Sequence, residues 1–194
     1  MQGEINIRSI KMSDKKIDEA RLFTEVFGDG DMFVDKNIEF LEVGDHFEVV
    51  GYNGSPKELI VPAWYKYKPV TVIRDGVFSG MTELEVVTLG DSLAVIGECA
   101  FSGCTALGRV NIPESVREIG ECAFSGCTAL GSVTIPVGVV KIGERAFGAC
   151  CDFVAYCRDK AKPEGWHELW NCAVGRVEWD MGAEFGAVFG SFFG

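Results

Sequence analysis

The residues best suited to chemistry in this sequence are its cysteines and histidines, of which there are eight and two. Thiolate and imidazole are ligands that zinc prefers, and a structural zinc site needs four of them to converge. The usual spacing of such ligands, C-x-x-C, is missing near the C-terminus, so ordinary packing is the favoured interpretation there. The alternative is a cryptic metal-binding protein. Its candidate ligands are Cys150, Cys151, Cys157, His167 and Cys172.

Other cysteines follow a period of 23 residues. Cys104, Cys127 and Cys150 occupy one position of this period, and Met81 occupies the same position once more. A position that accepts methionine is apolar, and a free cysteine in such a place behaves as a small hydrophobic side chain. We therefore expect these thiols to lie in the core.

Cys99 and Cys122 form a second column with the same period, and Gly76 and Arg145 continue it on either side. Glycine and arginine in one column indicate a partly exposed position. Stacked strands lie ~4.8 Å apart, so a disulfide between the two cysteines is geometrically conceivable. The N-terminal sequence lacks the features of a secretory signal, which favours free thiols.

Acidic side chains also recur at this period, and they raise the question of a cation site. One carboxylate per unit makes a poor calcium site, so a solvated row is the favoured interpretation. No nucleophile-elbow, zinc-protease, Walker or dinucleotide motif occurs, and we predict no catalytic, cofactor-binding or metal-binding residue. The formal net charge of −11 argues against nucleic acid as a partner. The acidic column is Asp75, Glu98, Glu121 and Glu144.

The whole central part of the sequence repeats with this period. The stretch IGECAFSGCTALG that begins at Ile96 recurs letter for letter from Ile119, a shift of 23 residues. A period of 20–29 residues with an L-x-x-L-x-L core is the signature of a leucine-rich repeat. The apolar columns are Ile73, Ile96, Ile119, Ile142; Phe78, Phe101, Phe124, Phe147; Leu84, Leu107, Leu130, Phe153; Val87, Val110, Val133, Tyr156; and Leu89, Ile112, Ile135, which Arg158 interrupts.

Each unit is predicted to contain one strand followed by a returning segment. Val110 and Ile112 alternate as a strand with one face inward, and Pro113 ends it because proline donates no backbone hydrogen bond. The returning segment brings Ile119 and Phe124 back into the core. Stacked in register, each unit buries its apolar edge against the next.

The pattern L-x-x-V-x-I-P, followed by I-G-x-x-A-F-x-G-C, resembles the BspA-like (Treponema pallidum-type) leucine-rich repeats of bacterial proteins. The segment FLEVGDHFEVVGY at residues 40–52, followed by LIVPAWYKYKPVTVI, resembles that family's opening hairpin and first, longer repeat. Residues 156–171 (YCRDKAKPEGWHELWN) resemble its closing cap. The cap residues in the family's places are Pro163, Gly165, Trp166 and Trp170.

The resemblance covers residues 31–180 and implies an α/β repeat fold, a right-handed solenoid of about four 23-residue units plus a longer first coil. An N-terminal helix over residues 13–27 and a hairpin near Gly44 would close one end, and the C-terminal cap the other. We expect one structural domain. Its segments are an N-terminal strand and helix flank (1–30), the hairpin and first long repeat (31–68), the repeats (69–158), the cap (159–180) and a Gly/Phe tail (181–194).

The tail carries glycine and phenylalanine, each at every fourth residue. Packing of residues 181–194 on the solenoid's own end is the favoured interpretation; self-association into a homo-oligomer and contact with a membrane surface are the alternatives. No apolar run approaches the ~20 residues that cross a bilayer, so we predict no membrane span. The compartment stays open: cytoplasmic if the chain is complete, cell surface or secreted if a leader was removed.

The outward residues of the repeat strands would line a shared face for a protein partner. This face is small and polar, with Arg109 as its strongest anchor, and a merely solvated surface is the alternative. A second candidate, Trp64 with Tyr65, lies in the first repeat, where packing against the hairpin is the favoured interpretation. We therefore predict a non-enzymatic protein-interaction module, with the adhesion or host-interaction roles that the resemblance implies; a structural, self-associating unit is an alternative. The predicted face is Val86, Thr88, Arg109, Asn111, Ser132 and Thr134.

Overall fold

The 23-residue period of the sequence appears in three dimensions as a stack of turns. The structure is a computed structural model, and it describes residues 34–171 and 176–179. Over these residues the chain forms a right-handed β-solenoid of about six turns, which confirms the predicted solenoid. The predicted helix at residues 13–27 and the Gly/Phe tail at residues 181–194 lie outside the described residues.

Short strands build the solenoid, and most turns contribute one strand to each of two sides. Parallel strands of successive turns pair, since each turn repeats the course of the one before. In chain order the strands of the described residues are β1 (Ile38–Val43), β2 (His46–Tyr52), β3 (Glu58–Val61), β4 (Trp64–Tyr65), β5 (Lys68–Ile73), β6 (Val86–Leu89), β7 (Val95–Ile96), β8 (Arg109–Val110), β9 (Glu118–Ile119), β10 (Ser132–Ile135), β11 (Lys141–Ile142), β12 (Val154–Cys157) and β13 (Arg176–Trp179).

One side of the solenoid is a sheet in the order β1-β2-β5-β7-β9-β11, with β4 paired to β5. The other side consists of two three-stranded sheets, β3-β6-β8 and β10-β12-β13. Within the repeats, the sequence pattern predicted only the strands of this second side. The returning strands β7, β9 and β11 were missed because a strand of two residues has no alternation to detect.

The predicted α/β class is wrong for the described residues, which contain strands and turns but no helix. The hydrogen bonds after β7 give the reason. Alternate amides, such as those of Cys99 and Phe101, donate to carbonyls of the next turn, so they cannot form helical bonds. Cys99 and Gly103 also have positive φ values of 52° and 73°, which interrupt any helix.

The core lies between the two sides and is dominated by a column of phenylalanines. The rings of Phe78, Phe101, Phe124 and Phe147 stack with centroid separations of 5.1, 5.2 and 5.2 Å. Phe153 continues the column at 5.2 Å from Phe147. Each ring is at most 1% exposed, so the column excludes water along its length. Each aromatic pair adds ~0.5–1.5 kcal/mol beyond the burial of its area.

The last repeat is one residue shorter than the others, and this corrects the predicted fourth and fifth columns. Val133 pairs with Ala155 and Ile135 with Cys157, a shift of 22 residues. Cys157 therefore fills the place at which Arg158 seemed to interrupt the pattern. Tyr156, expected in the buried valine column, points to the outer side instead, because a shift of one residue moves a side chain to the opposite face.

Both ends of the stack are covered. At one end, β1 and β2 form an antiparallel hairpin whose turn contains Gly44 at a φ of 61°. At the other end, Trp166 and Trp170 are buried to 2% and 3% exposure, and Trp170 meets Phe147 edge-on at 5.9 Å. In the part of the chain that the structure describes, no helix has the length and apolar character to cross a membrane.

Candidate protein-interaction face

The predicted partner face occupies the outer surface of three successive turns. We call it the repeat face and define it by Val86, Thr88, Arg109, Asn111, Ser132 and Thr134. All six are exposed except Val86, which is half-buried. The intervening residues of the same strands, Val87, Val110 and Val133, point into the core, so the alternation of the pleat fixes which side chains a partner can reach.

Asn111 has a structural contact that the sequence pattern did not suggest. Its Oδ1 accepts a hydrogen bond from the amide of Leu89 at 2.8 Å, and its Nδ2 donates to the Leu89 carbonyl at 3.1 Å. The side-chain amide of Asn111 thus takes the place of backbone hydrogen bonds between two turns, because β8 has already ended at Val110. Of the six repeat-face residues, Asn111 is therefore committed to holding two turns together.

The repeat face contains a groove where the outer side divides into two sheets, between β8 and β10. Arg109, Asn111, Ser132 and Thr134 line it. Below the groove, Val110 is 8% exposed whereas Val87, one turn earlier, is 1% exposed, so the division admits solvent to the edge of the core. The groove is a concave part of the repeat face, and the cationic side chain of Arg109 lies at its edge.

Two residues that sequence reasoning did not assign to this side extend the repeat face. Ile60 on β3 is paired with Thr88 in the register and is 64% exposed. Tyr156 on β12 is paired with Thr134 and half-buried. A signal for Tyr156 was available, because a shift of 22 residues lets Cys157 complete the apolar column that Arg158 breaks. The outer side therefore presents an aliphatic and an aromatic side chain around the polar centre.

The second candidate surface, Trp64 and Tyr65, divides into two different environments. The ring of Tyr65 stacks on Phe40 at 4.2 Å and meets Phe47 edge-on at 5.0 Å. Tyr65 therefore packs against the opening hairpin, as the interpretation favoured from the sequence expects. Trp64 is 55% exposed, and its ring is left available to solvent.

Within the part of the chain that the structure describes, the C-terminal cysteines and histidine do not converge. Cys150 and Cys157 are buried, whereas Cys151 is exposed. His167 accepts a hydrogen bond at Nδ1 from the Leu169 amide at 3.1 Å. Over residues 34–171 and 176–179, no three His, Cys, Asp or Glu side chains are grouped so as to hold a metal ion, and Cys172 falls outside these ranges.

The column of Cys104, Cys127 and Cys150 lies in the core, as predicted. The thiol of Cys104 donates to the Phe78 carbonyl at 3.1 Å, and Cys127 repeats this contact with Phe101 at 3.3 Å. Burial raises the pKa of the Cys104 thiol to about 11. A buried thiol with a raised pKa holds little thiolate, so these groups are poor nucleophiles.

The acidic column shows at its first member how it fits the fold. The Oδ1 of Asp75 accepts a hydrogen bond from the Glu98 amide at 2.8 Å, and so satisfies a backbone donor of the next turn. At the last member, the Oε1 atom of Glu144 lies 3.7 Å from Nε of Arg145, and its Oε2 atom lies 3.8 Å from Nε2 of His167. These contacts support the solvated-row interpretation over a cation site.

Known proteins of the same architecture give a context for this geometry. Residues 65–156 match the model of the BspA type leucine rich repeat region, in six copies. The chain is similar to the T. pallidum leucine-rich repeat protein, with 26% identity over 74% of this chain and 63% of that chain, and a TM-score of 0.62. Among curated proteins, none matches the sequence of this chain.

Two Bacteroides leucine-rich repeat proteins are also similar. The protein from Bacteroides ovatus is 30% identical over 76% of this chain and 37% of its own, with a TM-score of 0.58. The protein from Bacteroides capillosus is 27% identical over 61% of this chain and 97% of its own, with a TM-score of 0.53. The chain thus spans 63% and 37% of the T. pallidum and B. ovatus proteins, less than two thirds of each.

Proposed function

Residues 65–156 of this chain belong to the BspA-type leucine-rich repeat family, and from this premise we propose that the chain is a protein-interaction module that acts through its repeat face. Repeat solenoids present extended surfaces, and such surfaces bind partners. The adhesion-type role that the family resemblance implies is part of the same proposal. The chain acts by binding and not by catalysis.

The observation that carries the proposal is the register of the outward side chains. Val86 lies beside Arg109, and Thr134 lies beside Tyr156, in parallel strands of successive turns. A partner that follows the stack therefore meets one row of side chains after another at the spacing of the turns. Arginine and tyrosine are the side-chain types that dominate binding energy at interfaces.

The character of the face favours a modest, reversible contact. Arg109 and Tyr156 stand among small polar side chains, and an interface with few anchors binds weakly. Charged neighbours are already matched within the chain: Lys57 pairs with Glu85 at 2.9 Å, and Arg158 pairs with Glu114. The repeat face thus offers a partner its shape and a few anchoring side chains. It offers little electrostatic attraction.

A capture experiment tests this proposal. The immobilised native chain is exposed to lysate of its own cells and, separately, to candidate extracellular host proteins. A repeat-face variant carries Arg109→Glu and Thr134→Glu, which bring acidic charge to both sides of the groove. We expect a captured partner to be lost by this variant, with at least a tenfold loss of affinity, which corresponds to about 1.4 kcal/mol.

The matched control carries Lys160→Glu and Thr82→Glu, the same change of formal charge at two exposed positions outside the repeat face. It should retain the partner, and circular dichroism should give one spectrum for all three proteins. Equal capture by the native chain and the repeat-face variant would contradict the proposed surface. The variant Trp64→Ala would then test the second candidate surface.

A further inference from the structure

Two cysteines outside the repeat face are brought together by the stacking of turns. Cys99 is exposed and Cys122 is half-buried, and they occupy the same position in successive turns. The amide of Cys99 donates to the Glu121 carbonyl at 2.8 Å, so the two segments run side by side at this point. Besides burial, the neighbouring Cys99 thiol contributes to the raised pKa of the Cys122 thiol, in agreement with this proximity.

The local spacing suits a covalent bond between these thiols. Two residues further along the same segments, the rings of Phe101 and Phe124 are 5.2 Å apart, which measures the separation of the turns. Disulfides join residues whose Cα atoms are about 4.4–6.8 Å apart. Cys99 and Cys122 also share one backbone conformation, with φ values of 52° and 54°, and each amide donates to a glutamate carbonyl of the next turn, so the two residues occupy equivalent places in their turns.

We propose that Cys99 and Cys122 form a redox-active dithiol, which a low-molecular-weight disulfide such as oxidised glutathione converts into a disulfide between adjacent turns. The site is independent of the repeat face and goes beyond the proposed binding function. It differs from the core column, in which Cys104 and Cys127 are stacked in the same way but closed to solvent.

The reaction proceeds by two exchanges. The Cys99 thiolate attacks one sulfur of oxidised glutathione, which forms a mixed disulfide and releases the first glutathione thiolate. The Cys122 thiolate then attacks the Cys99 sulfur and releases the second glutathione. The protein loses two protons to solvent, and the two electrons of its thiols reduce the glutathione disulfide.

The surroundings assign the order of attack. Cys99 is the more exposed of the two and meets the oxidant first. Burial, the neighbouring Cys99 and the Glu121 carboxylate raise the pKa of the Cys122 thiol, while Arg145 lowers it. Cys122 therefore reacts slowly with oxidised glutathione from solution. It acts as the resolving thiol once Cys99 carries glutathione beside it.

The neighbouring turns supply a matched substitution for a test. Gly76 precedes Cys99 in the same column and has a φ of 68°, so Cys99→Gly places the residue of the preceding turn in an equivalent conformation. This variant keeps the fold and removes one thiol. Cys151→Ser removes an exposed cysteine outside the column and serves as the control for unspecific oxidation.

The full chain is incubated with oxidised and reduced glutathione in fixed ratios, alkylated and digested with chymotrypsin. Cleavage after Phe101 and Phe124, followed by cleavage with trypsin after Arg109 and Arg117, leaves Cys99, Cys122 and the core cysteines Cys104 and Cys127 on separate peptides. We expect one cross-linked peptide that joins Cys99 to Cys122 in the native chain and in Cys151→Ser, with none in Cys99→Gly. The oxidised native chain should also melt at a temperature several degrees higher, because the bond constrains the unfolded chain.

Other products would overturn the proposal. These are a Cys99 that retains glutathione without an intramolecular bond, a bond between Cys104 and Cys127, or a dimer linked through Cys151. Full reduction of Cys99 and Cys122 in excess oxidised glutathione would overturn it equally. Because the readout is the identity of the bonded cysteines, a failure of partner capture would leave this result unaffected, and the two proposals fail separately.

Discussion

At Gly120, a hydrogen atom in place of a side chain allows two turns to approach. A Cβ atom built there would lie 2.6 Å from the amide nitrogen of Glu98 and 2.7 Å from the carbonyl carbon of Gly97. Both atoms belong to the backbone of the preceding turn and cannot rotate away. The glycine that follows each isoleucine of the returning strand is therefore a requirement of stacking, since atoms this close overlap.

We predict that Gly120→Ala lowers the free energy of unfolding by about 1–3 kcal/mol, the usual cost of an extra methyl group in a packed place. Urea denaturation followed by circular dichroism measures this change. Gly131→Ala is the matched control, because a Cβ atom there has no neighbour within 4 Å. A change within about 0.5 kcal/mol is expected for the control. Equal stability of both variants would show that the turns can separate without cost.

Among the larger elements, the closing cap depends on Trp166. Its Nε1 donates to the carbonyl of Val139 at 2.9 Å, and its ring meets Trp170 edge-on at 5.2 Å. Trp166 also extends the returning sheet by a bridge to Ile142. The Trp166 side chain thus covers the last turn by packing. It also donates a hydrogen bond to the Val139 carbonyl, which lies just before the last strand of this sheet, β11.

Two substitutions separate these contributions. Trp166→Phe removes the donor and leaves the Val139 carbonyl unpaired, so we expect a loss of about 1–3 kcal/mol. Trp166→Ala also leaves a cavity and should cost about 3–5 kcal/mol. Thermal unfolding measures both, and Leu169→Ala, at an exposed position of the same cap, is the control. If the phenylalanine variant were as stable as the native chain, the hydrogen bond would contribute nothing.

Much of this architecture could be predicted from the sequence, for a physical reason. Residues such as Ile119 and Phe124 repeat because every turn places the same position against the same kind of neighbour. The period therefore encodes the core directly. The two-residue strands of the returning side could not be predicted, because they are defined by hydrogen bonds to other turns and leave no pattern of their own.

The site was less accessible to prediction. The strand pattern assigned Thr134 to an outward position and Val133 to the core, as the burial of the two residues confirms. It could not reveal that Asn111 holds the Leu89 backbone, since that contact depends on where β8 ends. Tyr156 was placed on the wrong side because one missing residue reverses the alternation. Whether a partner uses these residues stays a prediction.

For the whole molecule, stability should be nearly the sum of its turns, since each turn contacts only its neighbours. Deletion of residues 97–119 tests this. It removes one complete unit of 23 residues and joins Ile96 to Gly120, which recreates the native sequence at the junction. We predict a folded chain with the same type of circular dichroism spectrum and a lower free energy of unfolding.

The control deletes residues 97–108, about half a unit, and leaves the following strands out of phase with the preceding turn. This shorter deletion should unfold the C-terminal turns although it removes fewer residues. The idea of independent, stackable turns would be contradicted if the deletion of the complete unit were the more damaging of the two.

The identity of two successive segments has a consequence for the way the chain reaches this structure. Since IGECAFSGCTALG occurs twice, a folding chain can dock the second copy where the first belongs and loop out the residues between them. Local contacts in that trapped state match the native ones. The trapped state is therefore less stable than the native one only where the turns differ in sequence. Arg74, which precedes the glycine column, and the shortened turn after Phe153 mark the two ends of the array. The irregular turns thus set the register in which the other turns stack. Substitutions in them should change the folding rate more than the free energy of unfolding.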